Sequence, residues 1–505
     1  MTAALLVACG GGNGAKKSAP PSKAAALVPK TAVAFASLSL DPSSTQKSDV
    51  ASVLEKLPVK EKTFDALRDR VLTGVAQNAG LDYQRDVKPW LGDEAAVAVL
   101  PNTPSPDIVR FLKTTDDVRA TAAVEKASAR QGGDAAARVI SGFVVVVPKA
   151  RADLLDVLSR QARDPASALS TQDSFTRVTK SLSDERIATG WFDGHALVAL
   201  AKAAGSRQLG GARIDVSRLP DVGAGGFDVV PSHEALASSG LVDTPGTVGG
   251  GPTPLTDALP TKSLGALTMW NVGGNLESVV AEALRTLPST TGLFNQVQTA
   301  LGIDINRDVL SWMHGEAVVV GGPPTGGTRP DLALVVDPTD RVAAQSTITK
   351  IADGLEQRLG IKLDQKPGPG GVNMYVFPGA IQTGLQPAMA LSSNKFVLAT
   401  SPDYLTKILE GGDFASSPAY KDTLGSPKPG TQFQLVLQGE ALSFLEPYLG
   451  LGATTTTRPG ENPNAVLDPN AVLDPNAVLS HLDAVGLRVR KDGSVTRVEV
   501  KATVK

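Results

Sequence analysis

The sequence predicts an α+β fold built as two tandem homologous modules, each a mostly antiparallel sheet with helices packed on one side of it. Three observations predict this. First, one block occurs twice: Gly80–Val97 reads GLDYQRDVKPWLGDEAAV and Gly302–Val319 reads GIDINRDVLSWMHGEAVV. Nine of its eighteen positions are identical, in register and without a gap, where composition alone would give about one. Second, short apolar runs joined by Pro-rich turns read as antiparallel hairpins. Third, helical spacings fall between these runs without the regular alternation of a parallel sheet.

In the first module Val33–Leu40 is a strand. Phe64, Leu67, Val71, Leu72 and Val75 have helical spacing over 64–78, and Gly80 stops that helix. Glu94–Leu100 and Ile108–Leu112 are strands joined by a Pro-rich turn. Asp116 and Asp117 start a helix through Ala127, with acids placed to favour its first turn. Phe143–Val147 follows as a strand, then a helix over 150–161 and another over 196–202. The second module repeats the order with Ala317–Val320, Leu332–Val336, a helix over 342–359, Phe396–Ala399 and a helix over 404–409. Gly486–Val489 and Val495–Val504 close the chain as a hairpin around Lys491-Asp492-Gly493.

The likeness of the copies extends beyond the block. Pro29–Phe35 resembles Pro260–Ala266, and Pro106–Phe111 followed by Asp116 parallels Pro330–Val335 followed by Asp340. Gly142-Phe143-Val144-Val145 parallels Lys395-Phe396-Val397-Leu398, and Phe175 corresponds to Tyr420. The expected organisation is a truncated lipoprotein signal over 1–9, a flexible tether over 10–27, a first module over 28–245, a linker over 246–258 and a second module over 259–505. Within the second module, 453–479 reads as a low-complexity surface loop, with Pro-Asn-Ala-Val-Leu beginning at Pro463, Pro469 and Pro475.

Cys9 is the sole cysteine of 505 residues, in Leu6-Val7-Ala8-Cys9-Gly10. A short apolar run ending in small residues and a cysteine resembles a bacterial lipobox, which predicts lipidation of Cys9. None of Met1–Ala8 is charged, so the basic n-region of such a signal is expected upstream of Met1. The Gly-, Ser- and Pro-rich stretch that follows suits a tether, and Lys16, Lys17 and Lys23 could add attraction to anionic head groups. A diacylated cysteine holds a protein at a membrane without a transmembrane helix, and the sequence predicts none.

Composition bounds the remainder. The length implies two or more domains. Charge is balanced, with 49 basic and 51 acidic side chains, and no basic stripe interleaved with aromatics suggests nucleic acid. One cysteine excludes an intrachain disulfide framework. Aromatics make up only 4%, so the cores must be built from Ala, Val and Leu.

The Pro-x-x-Ala opening strand, the Gly-Leu-Asp…Asp-Val…Trp-x-Gly-x-Glu-Ala block and a later Asp-x-Phe segment resemble the bacterial envelope family known as domain of unknown function 3352. The first copy carries the block as Asp86, Val87, Trp90, Gly92, Glu94 and Ala95, and the second departs from it at His314. The resemblance covers most of residues 28–450. It implies an exported α+β protein, often membrane-tethered, and assigns neither activity nor functional residues.

Candidate chemistry is thin. The histidines at 195, 233, 314 and 481 form no zinc-binding pair. His314 and Glu316 invite an acid–base reading, but Gly92 replaces the histidine in the first copy. Asp304-Ile305-Asn306-Arg307-Asp308 imitates the opening of a calcium loop, yet Val309 stands where glycine is required and Arg307 repels a cation. The repeated residues Asp82, Arg85, Asp86, Trp90 and Glu94, with Asp304, Arg307, Asp308, Trp312 and Glu316, therefore read as a structural motif. In it an aspartate caps a short helix that carries Trp90 or Trp312 into the core, an arginine pairs with an acid, and Glu94 and Glu316 are available to those arginines. No catalytic residue, cofactor or metal is expected. The expectation is a lipid-anchored protein on the extracytoplasmic face of the cell membrane, non-enzymatic, binding or scaffolding an envelope protein partner. The alternatives are an envelope hydrolase with an unrecognised acid pair and a solute-binding lipoprotein.

Overall fold

A computed structural model describes residues 22–102, 105–129, 135–204, 207–209, 212–214, 222–233, 235–243, 251–274, 298–299, 301–325, 329–379, 385–425, 428–445 and 475–505. Cys9, the lipobox, the tether up to residue 21 and residues 453–474 lie outside the described residues. The chain divides into two compact units: Met1–Gly246 with Glu446–Leu482 and Gly493–Lys505, and Thr247–Leu445 with Asp483–Asp492.

The first unit contains strands β1 Ala34–Ser39, β2 Leu91–Leu100, β3 Asp107–Thr114, β4 Ala135–Ile140, β5 Phe143–Pro148 and β6 Ala188–Asp193. A short hairpin, β7 Arg207–Leu209 and β8 Ala212–Ile214, precedes β9 Ala224–Ser232 and β10 Ala235–Asp243. Apart from that hairpin, the strands form one antiparallel sheet ordered β4-β5-β3-β2-β1-β6-β9-β10. The strand Val495–Val504 extends it by pairing with β10, from Ala235↔Thr503 to Asp243↔Val495.

Local chemistry sets the helices of this unit. Ser43 and Gln46 form a reciprocal capping box for α1 Ser44–Lys56. Thr63 caps α2 Phe64–Asn78, and Asp116 caps α3 Asp117–Ser128 by accepting from Val118 N and Arg119 N. Helices α4 Leu154–Gln161 and α5 Asp173–Lys180 bury Leu154, Leu155, Leu158, Phe175 and Val178. Helix α6 Gly194–Ala204 follows β6 directly.

Helices cover both faces of the sheet, not one. Phe143, Val145 and Val147 of β5 join the cluster of α4 and α5, while Val144 joins Leu72 of α2 and Ala120 and Ala123 of α3. The reason is legible in β5 itself. Phe143-Val144-Val145-Val146-Val147 is a continuous apolar run, and such a strand needs cover on both sides.

The second unit contains α7 Pro254–Asp257, then β11 Gly265–Trp270, β12 Glu316–Gly322 and β13 Asp331–Val336. Helix α8 Arg341–Leu359 is capped by Asp340 and ends at left-handed Gly360. Strands β14 Asp364–Pro367, β15 Asn373–Val376, β16 Ala388–Leu391 and β17 Phe396–Ala399 follow. Helices α9 Pro402–Glu410 and α10 Pro418–Thr423 precede β18 Thr431–Gln438 and β19 Leu482–Asp492. The sheet is antiparallel, ordered β14-β15-β16-β17-β13-β12-β11-β18-β19. Its run from β16 to β19 repeats the succession from β4 to β9 of the first unit. The duplication is therefore one of strand order as well as of sequence, and the fold is α+β with two homologous antiparallel modules. Val318, Val335, Tyr404 and Tyr420 build the core on one face, and Trp312, Ile348, Leu355 and Phe396 build it on the other.

Four expectations change. Residues 22–27 are not tether: they form a turn of 3-10 helix at Ala24–Ala26, with Ala24, Ala25 and Leu27 buried in the first core. Residues 251–258 are not linker, because Leu255 joins the second core and Gly251 bridges to Thr431. Residues 493–505 belong with the first unit, where β10 supplies a nine-residue partner for Val495–Val504. The last six-residue repeat opens a short helix, Pro475–Ser480, within the expected loop.

The strand registers also correct the alignment of the two copies. Phe111 faces Val145 in the first unit, and Val335 faces Val397 in the second. Phe396 therefore matches Val144, and Lys395 matches Phe143. A slip of one residue places a side chain on the opposite face.

Candidate functional site

The repeated block starts at a left-handed glycine, Gly80 (φ 72°) or Gly302 (φ 70°), which ends the preceding helical turn. A π-turn follows, Tyr83–Val87 or Ile305–Val309. Two aspartates tie each turn reciprocally. Arg85 N donates to Asp82 Oδ1 at 2.9 Å, and Asp82 N donates to Asp86 Oδ2 at 2.8 Å. In the second copy Arg307 N donates to Asp304 Oδ1 at 3.0 Å, and Asp304 N to Asp308 Oδ2 at 2.9 Å.

The same inner aspartate collects two cations. Arg85 Nε lies 3.0 Å from Asp86 Oδ1, and Lys126 Nζ of α3 lies 2.5 Å from Asp86 Oδ2. Arg307 Nε and Lys350 Nζ of α8 each lie 3.0 Å from Asp308 Oδ1. The Arg85 guanidinium, with Lys126, holds the Asp86 carboxyl well below the usual range; Arg307, the backbone of Asp304 and Lys350 outweigh burial and do the same for Asp308. The backbone carbonyl of that residue accepts the indole N–H of the block's tryptophan, Trp90 Nε1 at 2.6 Å and Trp312 Nε1 at 2.8 Å. Both indoles are buried. Threonines after β3 and β13 fix the tryptophan carbonyls: Thr115 N donates to Trp90 O at 2.8 Å and Thr339 N to Trp312 O at 3.0 Å.

Each block is thus a staple joining a π-turn, a tryptophan and a helix. Chemically, a carboxylate held strongly ionised and occupied by internal donors is a poor proton acceptor near neutral pH. Sequence reasoning missed Lys126 and Lys350. The signal was present, since each stands ten positions after the aspartate, Asp116 or Asp340, that caps its helix.

Glu94 and Glu316 do not pair with the block arginines, which are taken by Asp86 and Asp308. Each anchors the segment that leads into its module. Glu94 accepts from Ser22 Oγ, Lys23 N at 3.0 Å and Ala24 N at 3.4 Å. Lys23 is also paired with Asp93, at 3.5 Å. Glu316 accepts from Leu255 N at 2.7 Å, Thr256 N at 2.9 Å and Thr256 Oγ1 at 2.5 Å. Thr256 Oγ1 also meets Thr268 Oγ1 at 2.6 Å. Glu316 is fully buried, and that burial outweighs its three donors and pushes its carboxyl up to about 7.

His314 is exposed, and its Nδ1 lies 2.8 Å from Asn271 Oδ1. The first copy needs Gly92 at that position, because a Cβ there would fall 2.7 Å from Lys113 Cγ; the second copy has Asp337 in place of Lys113. His195 lies in the first turn of α6. Among the described residues no three His, Cys, Asp or Glu side chains gather closely enough to hold a metal ion, and no helix is long and apolar enough to cross a membrane.

Comparison with known proteins adds a family. The model of a family described as protein of unknown function (DUF3352) matches residues 1–145 and 254–433. No curated protein matches the chain. Among solved structures, crystal form III of TP0453 is 9% identical with a TM-score of 0.24, covering 50% of this chain and 94% of that one. Crystal form I of TP0453 is 9% identical with a TM-score of 0.25, covering 44% and 79%.

Proposed function

We propose, for a chain that belongs to the DUF3352 family of proteins of unknown function, a role as a lipid-anchored, extracytoplasmic, non-enzymatic binding or scaffolding protein of the cell envelope. The observation that carries this reading is Cys9, alone in its chain and set after Leu6-Val7-Ala8 before a Gly-rich stretch. Two acyl chains on that sulfur hold a protein at a bilayer stably, at about 0.8 kcal/mol per buried methylene. The non-enzymatic part is supported by the repeated acidic residues. Asp82, Asp86, Asp304 and Asp308 are engaged within their own turns, so the acids most prominent in the sequence build the modules. The antiparallel order of both sheets speaks against the solute-binding alternative, which calls for doubly wound parallel sheets.

Fractionation of cells carrying the wild type and Cys9→Ser tests the anchor. Wild type should pellet with membranes through a high-salt wash and enter detergent, while Cys9→Ser should lose that retention. Equal retention of the two proteins would overturn the reading. Affinity isolation from detergent-solubilised native membranes tests the scaffold, with a reproducible envelope complex as the expected result and repeated recovery of the chain alone as the contrary one.

A further inference from the structure

A cavity of about 150 Å³ opens on the second unit. Leu255, Leu259, Val335 and Ile408 form a buried apolar floor. Pro254, Ala258 and Asn394 form an exposed rim, and Asp337 and Lys395 stand half-buried at its sides. The space corresponds to about five water volumes, too little for a drug-sized ligand.

The duplication explains why this space exists. In the first unit the matching positions hold Phe111 and Phe143, both buried and packed edge to face at 6.4 Å. The Lys113 ammonium lies 4.7 Å from the Phe143 ring centroid. In the second unit Val335 replaces Phe111, Lys395 replaces Phe143 and Asp337 replaces Lys113. An aromatic pair that seals one module has given way to a small side chain and two opposite charges.

Those charges do not satisfy each other. Asp337 and Lys395 lie one position past the pair Val336↔Phe396, just beyond the ends of β13 and β17. Lys395 Nζ donates instead to the Ile408 carbonyl at 2.6 Å, and burial pulls its amine below the ordinary lysine range. Among the described residues the Asp337 carboxylate takes part in no hydrogen bond or ion pair.

We propose that this cavity binds a small apolar α-amino acid as its zwitterion, with the ligand carboxylate on Lys395, the ligand ammonium on Asp337 and the side chain over Leu255, Leu259 and Val335. The size limits the side chain to a few carbons. Neighbouring opposite charges suit a ligand whose own charges are separated by one carbon, and Asn394 at the rim offers both a donor and an acceptor. The inference is independent of the lipid anchor and of any envelope partner.

Calorimetric titration of the full chain with L-alanine and L-valine tests it. Propionate, isobutylamine and γ-aminobutyrate serve as probes with one charge, the other charge, and both charges set apart. A saturable heat with L-alanine or L-valine, roughly tenfold tighter than with any of the three controls, is the expected result. Val335→Phe should abolish the heat. Val335→Phe combined with Lys395→Phe rebuilds the aromatic pair of the first unit and should unfold no earlier than wild type while binding nothing. Lys395→Met and Asp337→Asn, at half-buried positions, should each weaken binding roughly tenfold and carry the test if Val335→Phe fails to fold. Absence of saturable heat with both amino acids, equal binding of any control, or unchanged binding by these variants would overturn the proposal.

Discussion

Glu316→Gln isolates a fully buried acid of the second unit whose carboxyl is held above its ordinary range. In the wild type the carboxyl titrates near 7 when folded, against an ordinary 4.5. The folded state therefore holds this proton more tightly than the unfolded chain does. Between those two pH values the folded state carries more protons, so stability falls as pH rises. The contribution is greatest below pH 4.5 and is lost as pH passes through 7. The difference between 4.5 and 7 corresponds to about 3 kcal/mol at about 1.4 kcal/mol per pH unit, and full burial leaves no solvent screening to discount. Glutamine removes the titration. It also places an amide where Leu255 N needs an acceptor, at a pH-independent cost of about 1–3 kcal/mol. The stability curves of the two proteins should thus converge or cross as pH rises from 5 to 8 on the scale of that ~3 kcal/mol term. Urea unfolding at a series of pH values, read by hydrogen exchange of peptides from β11 and β12, keeps the second unit separate from the first. Parallel curves for wild type and Glu316→Gln would refute the assignment of that pH dependence to Glu316.

The staples give further expectations. Asp308→Ala leaves Asp304 N and two cations without their acceptor and should cost roughly 2 kcal/mol, less than for a fully buried pair because Arg307 and Lys350 reach solvent; urea midpoints measure it, and a double-mutant cycle with Lys350→Met should show coupling. Trp312→Ala empties a fully buried site beside Phe396 and should cost about 3–5 kcal/mol by urea denaturation, with loss of the emission of one of the two fully buried indoles, Trp191 being the other. Glu94→Ala removes the acceptor of Ser22, Lys23 and Ala24, so limited proteolysis should cut near residue 24 faster than in wild type while β1 and β2 remain protected.

Much of this architecture was legible because duplication supplies an internal comparison. The shared Asp, Trp and Glu positions located the π-turns and the strands that follow them, and Asp116 and Asp340 located the helix starts. What stayed hidden was set by long-range pairing. Glu94 and Glu316 looked like partners for nearby arginines, but β2 and β12 carry them to backbone amides more than sixty residues away. Phe143 and Phe396 aligned by identity, yet strand register sets Lys395 against Phe143, and only that correction accounts for the cavity. The nine-residue pairing of the C-terminal strand with β10 is invisible to local periodicity. Helices on both faces were implied by the unbroken apolar run of β5, a signal weaker than the hairpin pattern around it.

The most direct test of the envelope assignment is the mass of the N-terminal peptide from protein isolated out of native membranes. The account predicts that Cys9 is the first residue and carries a diacylglycerol on its sulfur. A peptide that retains Met1 or Thr2 and a free Cys9 thiol would contradict it.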